Sequence, residues 1–323
     1  MVRSGINIID TAPWYGDTKS ETVLGAALIG IPREAYYIHT KVCRYKPEVD
    51  KMFDFSRERV LASIDGSLAR LGVDYLDTVQ VHDPEFAPSP EIIIRETLPA
   101  LAEAQKAGKI KRIGITGYPM DILRILAERS PVPLTTCISY SRYNLHDDSL
   151  ASSGTLAFLR SKGIGVINAA PISMGLLTAS GPPAWHPATP EIKSLVREVA
   201  SKCSAQGVPL GRLAMAWALA RTDVSTVMVS SASMDLWKLN LSMATGDSPL
   251  SEQERVLMEE SERTFREALP PDRRHWEGLD VEKYWAKLGR MLLVRSKYPA
   301  YADELGLGER DVSGAATGGG GTI

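Results

Sequence analysis

Cysteine is scarce in this chain: there are three, Cys43, Cys137 and Cys203, far apart and in no CxxC pair. That argues against a disulfide framework or a thiolate zinc site, and predicts free thiols in the cytosol or another reducing compartment. Histidine is sparse too. The five residues His39, His82, His146, His186 and His275 form neither HxH nor HExxH, so a metal-dependent barrel hydrolase lacks its ligands and no metal is expected. His146, Asp147 and Asp148 read as a helix start. Charge of one sign is missing, with 37 Lys plus Arg against 39 Asp plus Glu, which leaves no basic footprint for nucleic acid. No apolar run reaches the length that spans a bilayer, and the start, MVRSGIN, lacks the apolar core of a signal peptide, so no membrane partner is expected. No GxGxxG follows a strand, which disfavours a dinucleotide-binding Rossmann domain. Ser139-Tyr140-Ser141 and Ser153-Gly154 make no nucleophile elbow.

What the chain does contain is a repeated strand ending. In GINIIDTAPWYG, Gly5 to Gly16, a short apolar run from Ile6 to Ile9 stops at Asp10, and a small-residue turn then carries Tyr15. Tyr36 to Thr40 ends likewise in Lys41, and Leu76 to Val81 in His82. Successive strands thus each deliver a titratable side chain at their C-terminal end, where a parallel barrel carries its chemistry. Arg112 to Thr116, Thr136 to Tyr140, Gly165 to Ala169 and Ser225 to Val229 are further buried-strand candidates.

Helical patterns separate these runs, an alternation that demands a parallel sheet with crossover helices. They are Ser56 to Leu71, with Ser56 placed to cap and Gly72 to stop, Ile92 to Ala107, Asp121 to Arg129, Ser149 to Lys162, Glu191 to Gln206 with Leu210 to Ala220, and Ser233 to Thr245. Residues 1 to 5 read as the last turn of a helix. Seven strands are countable, and an eight-stranded parallel barrel needs one more to close without leaving two unpaired edges.

The order Asp10, Tyr15, Lys41, His82, with Tyr five positions after Asp inside DTAPWYG, resembles the tetrad of the aldo-keto reductases. FDFSRERVLASIDGSLARLGVDYLDTVQVHDPEF, GKIKRIGITGYPMDI and SMGLLTASGPPAWHPATPE are similar to segments of the plant-type L-galactose dehydrogenase branch, and the likeness runs from about residue 4 to residue 245. The resemblance implies a (β/α)8 TIM barrel that here lacks its first strand, and an NAD(P)-linked oxidoreductase acting on the CH–OH group of a sugar, in that branch L-galactose to its lactone, a step towards ascorbate. Tyr15 is the implied acid/base, Lys41 and Asp10 its tuners, and His82 the group that orients the substrate oxygen. The set has an electrostatic logic of its own: a cation beside a phenol favours the phenolate, and a carboxylate keeps that cation charged and oriented.

The resemblance places the cofactor on Ser139 and Tyr140, on Ile172, Gly175 and Leu176 within the loop Pro171 to Leu176, and on Ser230 and Asn240. Ser139-Tyr140 stands where many members have Asn-Gln, Ala169 where many have a ring, Ser230 where glycine is usual, and Leu236 and Leu239 where relatives often carry Gln or Arg and Glu. Lys238 is the only cation between Ser230 and Asn240, so a clamp for an adenosine 2′-phosphate is not evident and NAD is favoured over NADP.

Residues 1–250 therefore read as the barrel, 251–310 as a helical extension and 311–323 as a disordered Gly-rich tail. In the extension Glu252 to Glu267 is a charged helix, and Val281, Tyr284, Trp285, Leu288 and Leu292 share an apolar face. That face packs on the barrel wall or, with Trp276, Tyr284 and Trp285, meets a protein partner or covers the place of the uncounted strand. A second functional reading follows from these features: a catalytically silent barrel serving as a structural subunit of a larger assembly.

Overall fold

Short runs rich in Ile, Val and Thr, each bounded by glycine or a polar turn, become parallel strands because helices cover the sheet and leave no face for alternating polar residues. A computed structural model describes residues 1–231, 233–289, 294, 296–302 and 304. The expected disordered tail, 311–323, and Leu292 of the apolar face lie outside the described residues. The chain divides into two compact units, one formed by Met1–His82, Phe86–Lys111 and the described residues from Val281 on, the other by Asp83–Glu85 and Arg112–Asp280.

In the first unit β1 (Ile8–Asp10), β2 (Tyr37–Val42) and β3 (Leu76–His82) pair in parallel. Every residue of β3, and every residue of β2 after Tyr37, is buried. Lys41, expected just past a strand ending at Thr40, lies inside β2, and His82 closes β3. Residues Val2–Ser4 form a single 3-10 turn.

Helix α1 (Lys19–Leu28) packs on α2 (Arg57–Leu71), and α2 packs on α3 (Leu98–Lys106). The sequence reading has no counterpart to α1. A Cβ on Gly25 would stand 2.2 Å from the Arg70 carbonyl oxygen, so glycine is what lets α1 approach α2. Glu21 of α1 is fully buried and is satisfied by the Thr40 hydroxyl at 2.6 Å and Arg70 Nε at 2.8 Å. Ser56 precedes α2 as expected, but its hydroxyl donates to Asp54 at 2.7 Å and accepts no helix N–H. Gly72 does stop the helix, with φ 66° and its N–H on Leu68. The pattern expected to run from Ile92 to Ala107 is interrupted by a π-helical stretch, Ile93–Thr97.

The second unit carries β4 (Ile110–Gly117) from Arg112 on, then β5 (Thr136–Tyr140), β6 (Gly165–Ala169) and β7 (Thr226–Met228), again all parallel. Its longer helices are α4 (Met120–Arg129), α5 (Thr155–Ser161), α6 (Pro190–Ala205), α7 (Leu210–Leu219), α8 (Met234–Ala244) and α9 (Glu252–Ala268). The expected helix Ser149 to Lys162 is split at Ser153 and Gly154, where Gly154 has φ 78°. Helix α9 begins in a capping box, in which Ser251 and Glu254 satisfy each other's backbone N–H. Among the described residues the parallel strands number seven, as counted in the sequence, with β1 paired to β2 alone and β7 to β6 alone.

No helix among the described residues is long and apolar enough to cross a membrane. All three cysteines are buried and free. Among the described residues, the non-glycine positions with positive φ, Asp17, Thr18, Cys43, Asp83, Ser141, Ala170, Ser173 and Met174, all follow the C-terminal end of a strand. Such conformations cost roughly 1–3 kcal/mol each and persist where neighbouring structure enforces them.

Candidate active site

Parallel register sets the first half of the site. Asp10 is level with His39, and Lys41 with Gln80, so Asp10, Lys41, Gln80 and His82 project from one face of β1, β2 and β3. Tyr15 arrives on the turn after β1, which the Tyr15 N–H fastens to the Ala12 carbonyl at 3.1 Å and in which Gly16, Asp17 and Thr18 all have positive φ.

The structure brings together all four residues expected in the tetrad. Lys41 Nζ donates to Asp10 Oδ2, to the Thr11 carbonyl at 2.9 Å and to Tyr15. It lies 4.8 Å from the centre of the Tyr15 ring, which meets the His82 ring edge-on at 5.9 Å. Lys41 and His82 are buried, whereas Tyr15 is 38% exposed, so the phenol opens to solvent above a buried amine. Burial alone would lower the Lys41 pKa; Asp10 and then Tyr15 outweigh it and hold the ammonium above its ordinary 10.5. Such an arrangement can pass a proton between a bound hydroxyl and Tyr15 while the cation beneath remains fixed.

Several residues around the tetrad were not singled out from the sequence. Gln80 Nε2 donates to the second oxygen of Asp10 at 3.3 Å. The hydroxyls of Thr11 and Ser20 bond at 2.9 Å and tie the loop after β1 to α1. The Arg44 guanidinium lies 4.2 Å from the Trp14 ring centre and 5.4 Å from that of Phe53. A glutamine two places before a strand-end histidine was the available signal for Gln80.

The expected cofactor residues sit in the second unit. Ser139 and Tyr140 are neighbours in β5 and therefore point to opposite faces: Tyr140 packs with Ile138, Ile167, Ala169 and Met228, while Ser139 is level with Asn168. The loop after β6, with Ile172, Gly175 and buried Leu176, is tied to the end of β5 by a 2.6 Å bond between the Ser141 and Ser173 hydroxyls. Gly175 takes φ 87° there. Ser230 is exposed at the end of β7, and Asn240 is half-buried on α8.

The expected helix start is there: Asp148 precedes a short helical turn, Ser149–Ser152, and Asp147 Oδ1 accepts the Ser149 N–H at 2.9 Å, while His146 and Asp147 are buried in a polar cluster. Arg142, also buried, reaches Glu277 at 3.0 Å and the Ser149 hydroxyl at 2.9 Å. Trp276 stacks on Tyr118 at 4.9 Å and His146 at 6.3 Å and meets His186 edge-on at 4.9 Å. Burial pushes the His146 pKa down to about 3 and that of Asp147 up to about 6, the latter against the pull of Arg142. In the first unit Tyr284 is buried edge-on to Phe53 and Phe86. The chain's own residues thus cover Trp276 and Tyr284, and Trp285 is half-buried.

The profile described as "Aldo/keto reductase family" matches residues 1–262. An L-galactose dehydrogenase of Arabidopsis thaliana is 42% identical over 260 residues, 80% of this chain and 79% of that protein. A D-arabinose 1-dehydrogenase of Saccharomyces cerevisiae is 35% identical over 248 residues, 73% of this chain and 72% of that protein. Among solved structures, an aldo-keto reductase from Bacillus halodurans in its holo form gives a TM-score of 0.63 at 27% identity, over 80% of this chain and 84% of that one.

Proposed function

The chain belongs to the aldo/keto reductase family, with its fold and its NAD(P)-dependent oxidoreductase class, and on that premise we propose that it oxidises the anomeric hydroxyl of an aldose to a lactone, with Tyr15 as acid/base. The observation that carries the reading is the buried Lys41, held by Asp10 and hydrogen-bonded to Tyr15, with His82 against the phenol ring. L-Galactose is the first substrate to test, because a protein 42% identical is named for it.

Chemistry follows from where each side chain stands. His82 and Tyr15 converge on the substrate hydroxyl, and His82 holds its oxygen. Tyr15 takes the hydroxyl proton as the C–H bond gives up its hydride, leaving a carbonyl. Lys41 favours the phenolate that accepts that proton, and Asp10 keeps Lys41 charged. When bound, a nicotinamide cofactor supplies the hydride acceptor.

The residues of the second unit fit such a group in their donor chemistry. The exposed hydroxyls of Ser230 and Ser231 and the start of α8 suit the phosphates of a dinucleotide. Lys238 as the lone cation from Ser230 to Asn240 favours NAD over NADP. Three buried free thiols accord with a cytosolic placement.

The test is a nucleotide titration of the purified chain, followed by absorbance of reduced cofactor with a panel of aldoses. Binding of NAD and turnover of L-galactose or a close relative are expected; binding of neither nucleotide would favour the silent barrel.

A further inference from the structure

Gln80 is a fully buried polar residue in the middle of β3, level with Lys41 in the register and two places before His82. Its amide nitrogen donates to Asp10 Oδ1 at 3.3 Å, while Asp10 Oδ2 accepts from Lys41. Its amide oxygen is buried without a hydrogen bond among the described residues, so towards this network Gln80 is a donor only. An ammonium has three N–H groups to give. Those of Lys41 go to Asp10, to the Thr11 carbonyl and to Tyr15. None is spare. A carboxylate held on one oxygen alone is free to turn both oxygens onto the ammonium, and the donor it would draw away is the one facing Tyr15.

We propose that Gln80 is a positioning residue: by occupying Asp10 Oδ1 it fixes the rotation of that carboxylate and reserves one Lys41 N–H for Tyr15. The inference rests on Tyr15 being the acid/base of the proposed reaction. It assigns Gln80 an effect on proton transfer and none on binding.

Two variants test it, each compared with the parent chain across pH in sugar oxidation. Gln80→Met keeps the length and loses the donor; the pH at which the Tyr15-dependent limb is half-developed is expected to rise by about one unit, with kcat down about tenfold near neutrality. The Kd for NAD and the KM for the sugar should remain within about twofold, a split that loss of structure would not produce. Gln80→Asn stays polar but is one methylene too short to reach Asp10, and should shift the limb in the same direction. A thermal scan of each shows that it is folded. Titration of Tyr15 by ultraviolet difference absorbance, with Tyr15→Phe as the blank, reads the same shift without turnover.

An unmoved midpoint in both variants, beside a parent chain that does show a Tyr15-dependent limb, overturns the role of Gln80 and leaves the proposed function standing. A parent chain whose turnover is indifferent to Tyr15 overturns that function instead, and the absorbance titration then decides the role of Gln80 alone: a rise supports it and no rise ends it.

Discussion

Lys41 and Ser230 stand at comparable places, each at or next to the C-terminal end of a parallel strand, in surroundings that could hardly differ more. Lys41 is buried and has a partner for every N–H it carries. Ser230 is exposed, and α8, which follows it, buries none of its side chains. A proton-transfer group has to be held in one protonation state and one direction, which only a desolvated and fully partnered environment secures. A surface for a dinucleotide needs donors that remain open until the ligand arrives. Substitutions in the first unit should therefore cost far more than substitutions at the end of β7.

Lys41→Met is expected to have the largest effect. It leaves the Asp10 carboxylate without its cationic partner beside an apolar chain, so kcat should fall on the order of 10³-fold and stability by about 3 kcal/mol. Steady-state rates and a denaturant titration measure both. A loss under tenfold would mean that the phenol does not depend on the cation beneath it.

The second unit keeps its buried charges elsewhere, around Arg142, and its stability should follow pH accordingly. His146 and His275 are held neutral down to about pH 3 and about pH 4, against an ordinary 6.5. The unfolded chain takes up those protons as pH falls through 6.5, so the stability they contribute is lost on acidification. Asp147 works in the opposite sense: raised to about 6 from 3.8, its contribution is full at low pH and lost as pH rises through 6. Burial lowers His186 as well, so with three imidazoles against one carboxylate the unfolding temperature should drop between pH 6.5 and pH 4. His146→Phe should flatten that slope in a calorimetric series, and an unchanged slope would assign the acid sensitivity elsewhere.

The smallest effect is expected from Ser230→Gly. Removing a hydroxyl that donates to the pyrophosphate should weaken NAD binding by about threefold, measured by fluorescence titration, with kcat unchanged. A tighter complex would show instead that the side chain crowds the ligand.

The contrast also explains what could be read from the sequence. Asp10, Lys41 and His82 were legible because each ends an apolar run abruptly, and Tyr15 because a turn of small residues isolates it. Gln80 was not, since an amide within a strand carries no charge to mark it, and its meaning comes from the register that sets β3 beside β2. Helix α1 was missed for a related reason: its Val23 is exposed, and the side chain it buries most completely is Glu21, which pattern reading places outside. His146, Asp147 and Asp148 do stand at a helix start, but the burial of His146 was not legible, because Trp276, which stacks on it, lies more than a hundred residues later. The strands themselves came through nearly whole, because a strand covered on both faces declares itself by apolarity alone.

The account turns on whether Tyr15 transfers the proton. Its most direct test is the formation of reduced cofactor from NAD and L-galactose by the parent chain and by Tyr15→Phe, with NAD affinity measured on both. Turnover in the parent chain, loss of at least about 10²-fold in the variant and equal nucleotide affinity are predicted; an unchanged rate in Tyr15→Phe would contradict the account.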